Sequence, residues 1–120
     1  MKHVIRPAAK DDIIRQFRYY LLRDAFEVAN RFLDATDESI EAICRTPNVG
    51  APKHLKNPLL AGLRSWSIKG FEDMLIFYVV QPHVLRIVRV LHGRRDINRI
   101  LEREKDDETR PEQTPSPNVS

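Results

Sequence analysis

The sequence predicts an α+β domain: an N-terminal strand, an antiparallel helical hairpin, a small antiparallel β-sheet and a short C-terminal helix. Three observations carry this expectation. Apolar residues recur at helical spacing through the first 45 positions. Between Leu63 and Leu91 they give way to short, β-branched apolar runs separated by turn residues. Past Gly93, Asp96 can cap a last helix.

His3–Arg6 reads as a short strand stopped by Pro7, whose ring nitrogen cannot join a ladder but suits a first helical turn. Ile13, Ile14, Phe17, Tyr20 and Leu21 then predict an amphipathic helix over Ala8–Arg23. Asp24 is the candidate cap of a second helix, with a stripe of Phe26, Ala29, Phe32/Leu33, Thr36, Ile40 and Ile43. Thr46-Pro47 ends it by Arg45, because the residue before proline avoids helical geometry. Two helices joined this tightly form a hairpin. Asn48–Ala61, with Gly50, Pro52 and Pro58, reads as an irregular loop, either functional or a spacer crossing the sheet edge.

Leu63–Ile68 is the next strand, followed by a turn at Lys69–Asp73. Met74–Val80 is a strand apolar on both faces, Gln81-Pro82-His83 turns the chain, and Val84–Leu91 returns. Asp96–Glu104 reads as the last helix. Residues 1–104 are therefore expected as the domain, and 105–120 as a disordered acidic tail with Pro111, Pro115 and Pro117.

At 120 residues, 42% hydrophobic and 31% charged, the chain fits one soluble domain with one modest core. The formal charge of +3 hides an asymmetry, because residues 1–101 hold 17 Lys and Arg against 11 Asp and Glu. A basic domain suits nucleic acid, an acidic protein, or nothing specific, so direct nucleic-acid binding stays open. The lone Cys44 excludes an intrachain disulfide and fits a reducing compartment. No N-terminal apolar stretch reads as a signal peptide, and the longest apolar run, Met74–Val80, is too short to span a bilayer. A cytoplasmic protein without membrane contact is the expectation.

Conventional catalytic motifs are missing. The four glycines are scattered, the four histidines lack metal-ligand spacing, and Cys44 sits on an apolar helix face as a core residue. No cofactor or metal is expected. What remains is cationic: Arg64, Lys69, Arg86, Arg89, Arg94, Arg95 and Arg99, arginine being suited to bidentate contact with phosphate or carboxylate. Arg86 and Arg89 have opposite parity on one strand, so at most one joins a shared site. The other is expected to pair with a helix carboxylate such as Asp11, Asp12 or Glu41. His92 beside Gly93 suits acid–base work, though an imidazole bonded to backbone at the strand end is the favoured reading. Trp66 suits either a partner anchor or core packing. If the hairpin covers one sheet face, the last helix leaves part of the other exposed, an apolar surface rimmed by arginine that marks a partner site.

Four motifs carry a resemblance: Arg6-Pro7-Ala8-Ala9-Lys10-Asp11-Asp12-Ile13, Gly62-Leu63-Arg64-Ser65-Trp66, Leu75-Ile76-Phe77-Tyr78-Val79-Val80, and Val90-Leu91-His92-Gly93-Arg94-Arg95-Asp96-Ile97. In this order, over about residues 3–101, the chain resembles toxins of the RelE/ParE superfamily, on the ParE branch. The resemblance implies a helical hairpin packed on a small antiparallel sheet. It also implies a type II toxin, of the class tied to plasmid stabilisation, bound and neutralised by a cognate ParD-like antitoxin. ParE-type members are described as inhibitors of DNA gyrase and not nucleases, whereas RelE-type members cut ribosome-bound mRNA with basic residues on the sheet. Those basic positions correspond here to Trp66, Ile68 and Leu75, and the tyrosine expected in the last helix is replaced by Asn98 or a close neighbour. The charge stabilisation that RNA cleavage needs is thereby removed.

The expectation is a non-enzymatic gyrase inhibitor with no catalytic residues. Its binding residues are Arg64, Trp66, Arg86, Arg89, His92, Arg94, Arg95 and Arg99. The alternatives are a ribosome-dependent mRNA endonuclease using His92 with Arg64 or Arg94, and a degenerate, non-toxic antitoxin-binding module.

Overall fold

A computed structural model describes residues 1–105. Its elements are β1 (Lys2–Ile5), α1 (Pro7–Leu21), α2 (Phe26–Arg45), β2 (Ala51–Pro52), β3 (Arg64–Ile68), β4 (Phe71–Val80), β5 (Val84–His92) and α3 (Ile97–Glu102). One sheet holds all five strands in the order β1-β5-β4-β3-β2. The strands β2 to β5 pair antiparallel, whereas β1 runs parallel to β5, so the sheet is mixed. The parallel edge follows from connectivity. β1 leaves straight into α1, and the chain crosses the sheet with its helical hairpin before re-entering.

Pro7 starts α1 as expected. Asp24 does not cap α2; it sits at φ 55° in the interhelical turn, with Ala25 preceding the helix. Reversing the chain in so few residues needs one left-handed position, which aspartate tolerates better than most non-glycine residues. The α2 stripe buries Ala29, Phe32, Thr36, Ile40 and Ile43 as read. Phe26 departs from it and is 59% exposed, standing as the first residue of α2 at the interhelical turn.

The turn between β3 and β4 is only Lys69-Gly70, with Gly70 at φ +85°, so β4 begins three residues before the expected Met74. Its first residues include the exposed Glu72 and Asp73, which hide the strand from a hydrophobicity reading. In β5, Tyr78 pairs with Ile87 and Phe77 with Arg89, leaving Val88 as an extra residue. This bulge inverts side-chain parity along the strand. Arg86 and Arg89 therefore pair with Val79 and Phe77, on the same face, and the opposite-parity reading fails across the bulge.

Two apolar layers result. Against the hairpin lie Ile68, Met74, Ile76, Tyr78, Leu85, Ile87 and Val90, packed on Ala9, Phe32, Ile40 and Ile43. The opposite face is not left open as expected. Leu60 and Leu63 from the long loop and Leu101 from α3 seal Phe77, Val79, Val88 and Leu91, with Leu55, Ile97 and Ile100 alongside. The loop is folded onto the sheet: Asn57 caps a single 3-10 turn at Pro58–Leu60, and its amide donates to the carbonyls of Leu101 and Glu104. Arg6 donates to the Lys105 carbonyl, so the chain is anchored to the end of the described residues. The disorder expected over 105–120 concerns a stretch that, from 106 on, lies outside them.

Gly50 marks a close approach. A Cβ there would stand 2.5 Å from the Tyr78 hydroxyl and 2.8 Å from the Ser65 carbonyl oxygen. The fully buried Tyr78 hydroxyl accepts from Gly50 N–H and donates to the Pro47 carbonyl, both at 2.8 Å. Tyr78→Phe leaves that donor and acceptor unpaired, and equilibrium urea unfolding should show a loss of about 1–3 kcal/mol. Burial pushes the Tyr78 ionisation above its ordinary value of 10.0. The folded state thus holds the proton more tightly than the unfolded chain. That contribution is complete below the ordinary value and is lost as the pH rises through the raised one. The phenylalanine variant should lack this alkaline component.

Candidate functional site

A cleft of about 680 Å³ opens where three distant segments meet. One wall is α1, with Gln16, Tyr19 and Tyr20; the second is Gly70 of the β3–β4 turn and the start of β4, to Met74; the third is the end of β5 and the turn after it, with His92, Arg94 and Arg95. The local sequence explains the third wall. Gly93 N–H donates to the Asp73 carbonyl at 2.7 Å, ending β5 against the start of β4. The chain then turns tightly, with Arg95 N–H on the His92 carbonyl and Arg94 N–H on His92 Nδ1, both at 3.0 Å. The turn throws both arginine side chains outward.

Because Nδ1 accepts a backbone proton, the neutral imidazole carries its own proton on Nε2. This is the backbone-bonded histidine favoured on sequence grounds. Arg94 and Arg95 are exposed, and neither guanidinium has an ion-pair partner among the described residues. Facing them, Glu72 accepts from Gly70 N–H at 2.8 Å, beside Asp73. The cleft is therefore bipolar, with cationic groups on one lip and carboxylates on the other. An aromatic cluster of Tyr20, Phe32 and Phe71, ring centroids 5.4–6.0 Å apart, stiffens its floor.

The remaining sequence-derived candidates are dispersed. Arg64 donates to the carbonyls of Gly50 (2.7 Å) and Asn48 (3.2 Å), tying down the loop that carries β2. It does not line the cleft, so the combination of His92 with Arg64 is not assembled. Trp66 is 36% exposed and outside the core. It borders a groove of about 540 Å³ between α2 and the outer edge of β3, where β2 reaches only Arg64 and Ser65. Arg86 donates to Gln81 at 2.7 Å on the opposite sheet face, and Arg99 is exposed on α3.

Arg89 is structural. It clamps Asp12 through Nε (2.7 Å) and Nη2 (2.8 Å) and reaches Glu104 through Nη1 (2.9 Å), while Arg6 also meets Glu104 at 3.3 Å. Two carboxylates hold its proton above the usual guanidinium range, the Asp12 hydrogen bonds first among the causes. Of Asp11, Asp12 and Glu41, only Asp12 takes the role expected of one of them.

Sequence reasoning missed Gln16, Tyr19, Tyr20, Glu72 and Asp73. One signal was present: adjacent helical residues point about 100° apart, so a Tyr-Tyr pair on an amphipathic helix exposes one ring when it buries the other. No group of three or more His, Cys, Asp or Glu converges as a metal site among the described residues. No helix there is long and apolar enough to cross a membrane.

A solved structure, the chromosomal ParDE TA system from P. aeruginosa, matches with a TM-score of 0.62 at 17% identity, over 77% of this chain and 95% of that one. At that identity the match speaks to the fold. No curated protein matches the sequence. The model for the ParE toxin of type II toxin–antitoxin systems matches residues 4–97, a range that contains β1 to β5, the whole hairpin and the cleft. Sequence and architecture agree, and the chain belongs to the ParE toxin family of type II toxin–antitoxin systems.

Proposed function

We propose that this toxin acts in the cytoplasm by binding and inhibiting DNA gyrase without catalysing a reaction, and that a cognate ParD-type antitoxin neutralises it. The observation that carries the non-catalytic reading is where the middle-strand residues sit. Ile68 is fully buried in the hairpin-side core, and Leu75 packs in the second apolar layer. A charged group at Ile68 would have to be taken wholly out of water and one at Leu75 partly so, whereas Trp66, at the third such position, stands exposed. The exposed cations that remain, Arg94 and Arg95, suit contact with an acidic protein surface.

The test is DNA supercoiling by purified gyrase, titrated with the folded chain. Loss of supercoiling or accumulation of cleaved DNA is expected, and unaffected gyrase at excess chain overturns the reading. One observation favours a second reading: His92 and Arg94 share the cleft, the arrangement a ribonuclease would need. Immediate translational arrest on induction, in place of filamentation with DNA damage, would select it. Normal growth without antitoxin would select the degenerate module.

A further inference from the structure

The outward face of the helical hairpin carries what the interior of a small protein does not leave exposed by chance. Leu22 is 84% exposed and Phe26 59%, with Ile14 and Tyr19 close to half. Ile14, Arg18, Tyr19 and Leu22 share one depression of about 510 Å³ along α1. Four of the nine large apolar side chains exposed among the described residues thus fall within 13 positions, and such clustering marks an interface.

The two helices are also electrically opposed. On α1 the exposed charges are Lys10, Arg15 and Arg18 against Asp11, with Arg23 exposed in the turn that follows. On α2 they are Glu27, Asp34, Asp37, Glu38 and Glu41, with Arg31 and Arg45 the exposed bases. Arg18 and these five carboxylates have no ion-pair partner among the described residues. The complement of the α1 surface is therefore present on the same molecule, on the neighbouring helix.

We propose that this face is a self-association surface, on which two copies of the chain stack hairpin to hairpin. A two-fold axis parallel to the helices and lying between the layers places α1 of each copy over α2 of the other. Such an axis keeps each residue's distance from the turn. Arg18 of one copy then faces the Glu27–Asp34 end of the partner's α2, and Lys10 faces Glu38 and Glu41. Each contact occurs twice, as an isologous interface requires, while Ile14 supplies an apolar contact along α1 and Leu22 and Phe26 supply one at the turn end. The footprint follows from helix dimensions: the 15 residues of α1 span about 22 Å, and two helices side by side are about 20 Å wide. That is below the standard size of specific interfaces, so the dimer is a weak, concentration-dependent one.

Sedimentation of the full chain over about 1–100 μM tests this, a range in which a weak association shows its concentration dependence. The expected result is a shift to twice the monomer mass, weakened by salt. Leu22→Asp, at a solvent-exposed position, should raise the dissociation constant about tenfold or more, because it places a charge against the partner's apolar side chains. Arg18→Glu and Asp34→Lys should each fail to self-associate, because each sets like charges opposite one another. Mixed together they should form a heterodimer. The glutamate introduced in one chain then meets the lysine introduced in the other, while the native pair is kept on the second half of the interface. A chain monomeric throughout the range overturns the proposal, as does a dimer indifferent to Leu22→Asp and to the charge pair. Gyrase inhibition is not the readout, so the outcome stands apart from the fate of the proposed function.

Discussion

Asp12→Ala is expected to destabilise the fold by about 3–5 kcal/mol, the usual cost of stripping one partner from a buried ion pair. The carboxylate is 2% exposed and satisfies three demands at once. It receives two hydrogen bonds from Arg89, one from the Val90 backbone N–H at 3.0 Å, and one from Arg15. The Val90 contact shows why the residue is acidic. The paired residues of β1 end at Ile5, opposite Ile87, so the edge of β5 beyond that point has no strand neighbour among the described residues. The first turns of α1 lie along this edge, and Asp12 replaces the missing ladder partner. Alanine leaves Arg89 held by Glu104 alone and orphans the Val90 N–H. Asp12→Asn, which keeps the shape and one acceptor, should cost less. Urea unfolding monitored by far-UV circular dichroism measures both, and a loss below about 1 kcal/mol for alanine would show that Glu104 suffices, since a surface pair is worth no more than that. Replacing Asp12 and Arg89 together by apolar residues of similar volume should recover much of the loss.

The second large effect concerns function. Arg94→Ala combined with Arg95→Ala should weaken gyrase inhibition by about tenfold or more, the size expected when central charged contacts of an interface are removed. Both side chains are exposed and make no ion pair among the described residues, so the thermal unfolding midpoint should stay within about a degree or two of the parent, as for other surface changes. Arg99→Ala, on α3 outside the cleft, is the internal control and should be neutral. The comparison is made on half-inhibition of supercoiling at matched concentrations of folded protein. Undiminished potency of the double variant would place the target-binding surface elsewhere, the groove beside Trp66 being the next to probe.

Much of the fold was legible because the relevant signals are local. The 3.6-residue spacing of α2 marks its buried face at Ala29, Phe32, Thr36, Ile40 and Ile43, and Pro7 marks the start of α1. Gly93 and Asp96 bracket the turn into α3, where the Asp96 side chain accepts from Arg99 N–H. The failures share one cause. The Val88 bulge is a property of the β4–β5 pairing and has no trace in β5 alone, yet it decides which face Arg86 and Arg89 occupy. The closing of the second sheet face by Leu60, Leu63 and Leu101 depends on a loop folding back across strands distant in sequence, so a strand-by-strand reading leaves that face bare. The cleft was half visible. His92, Arg94 and Arg95 adjoin in sequence, whereas Tyr19 and Asp73 reach it only through the packing of α1 against the sheet and the pairing of β4 with β5.

The amino-acid sequence by itself determined the order and type of the main helices and strands, though not the short β2 inside the segment read as a loop, together with the basic character of residues 1–101 and the family resemblance, because periodicity, turn chemistry and charge are written within a few neighbouring positions. The tertiary structure alone decided which arginine is structural. Arg89 and Arg94 are alike as residues and five positions apart, but one is clamped by two carboxylates against the edge of β5 and the other stands at the solvent-exposed rim of a cleft. The physical reason is that an arginine's role depends on the carboxylates and the water around it, and those come from segments that only folding brings together.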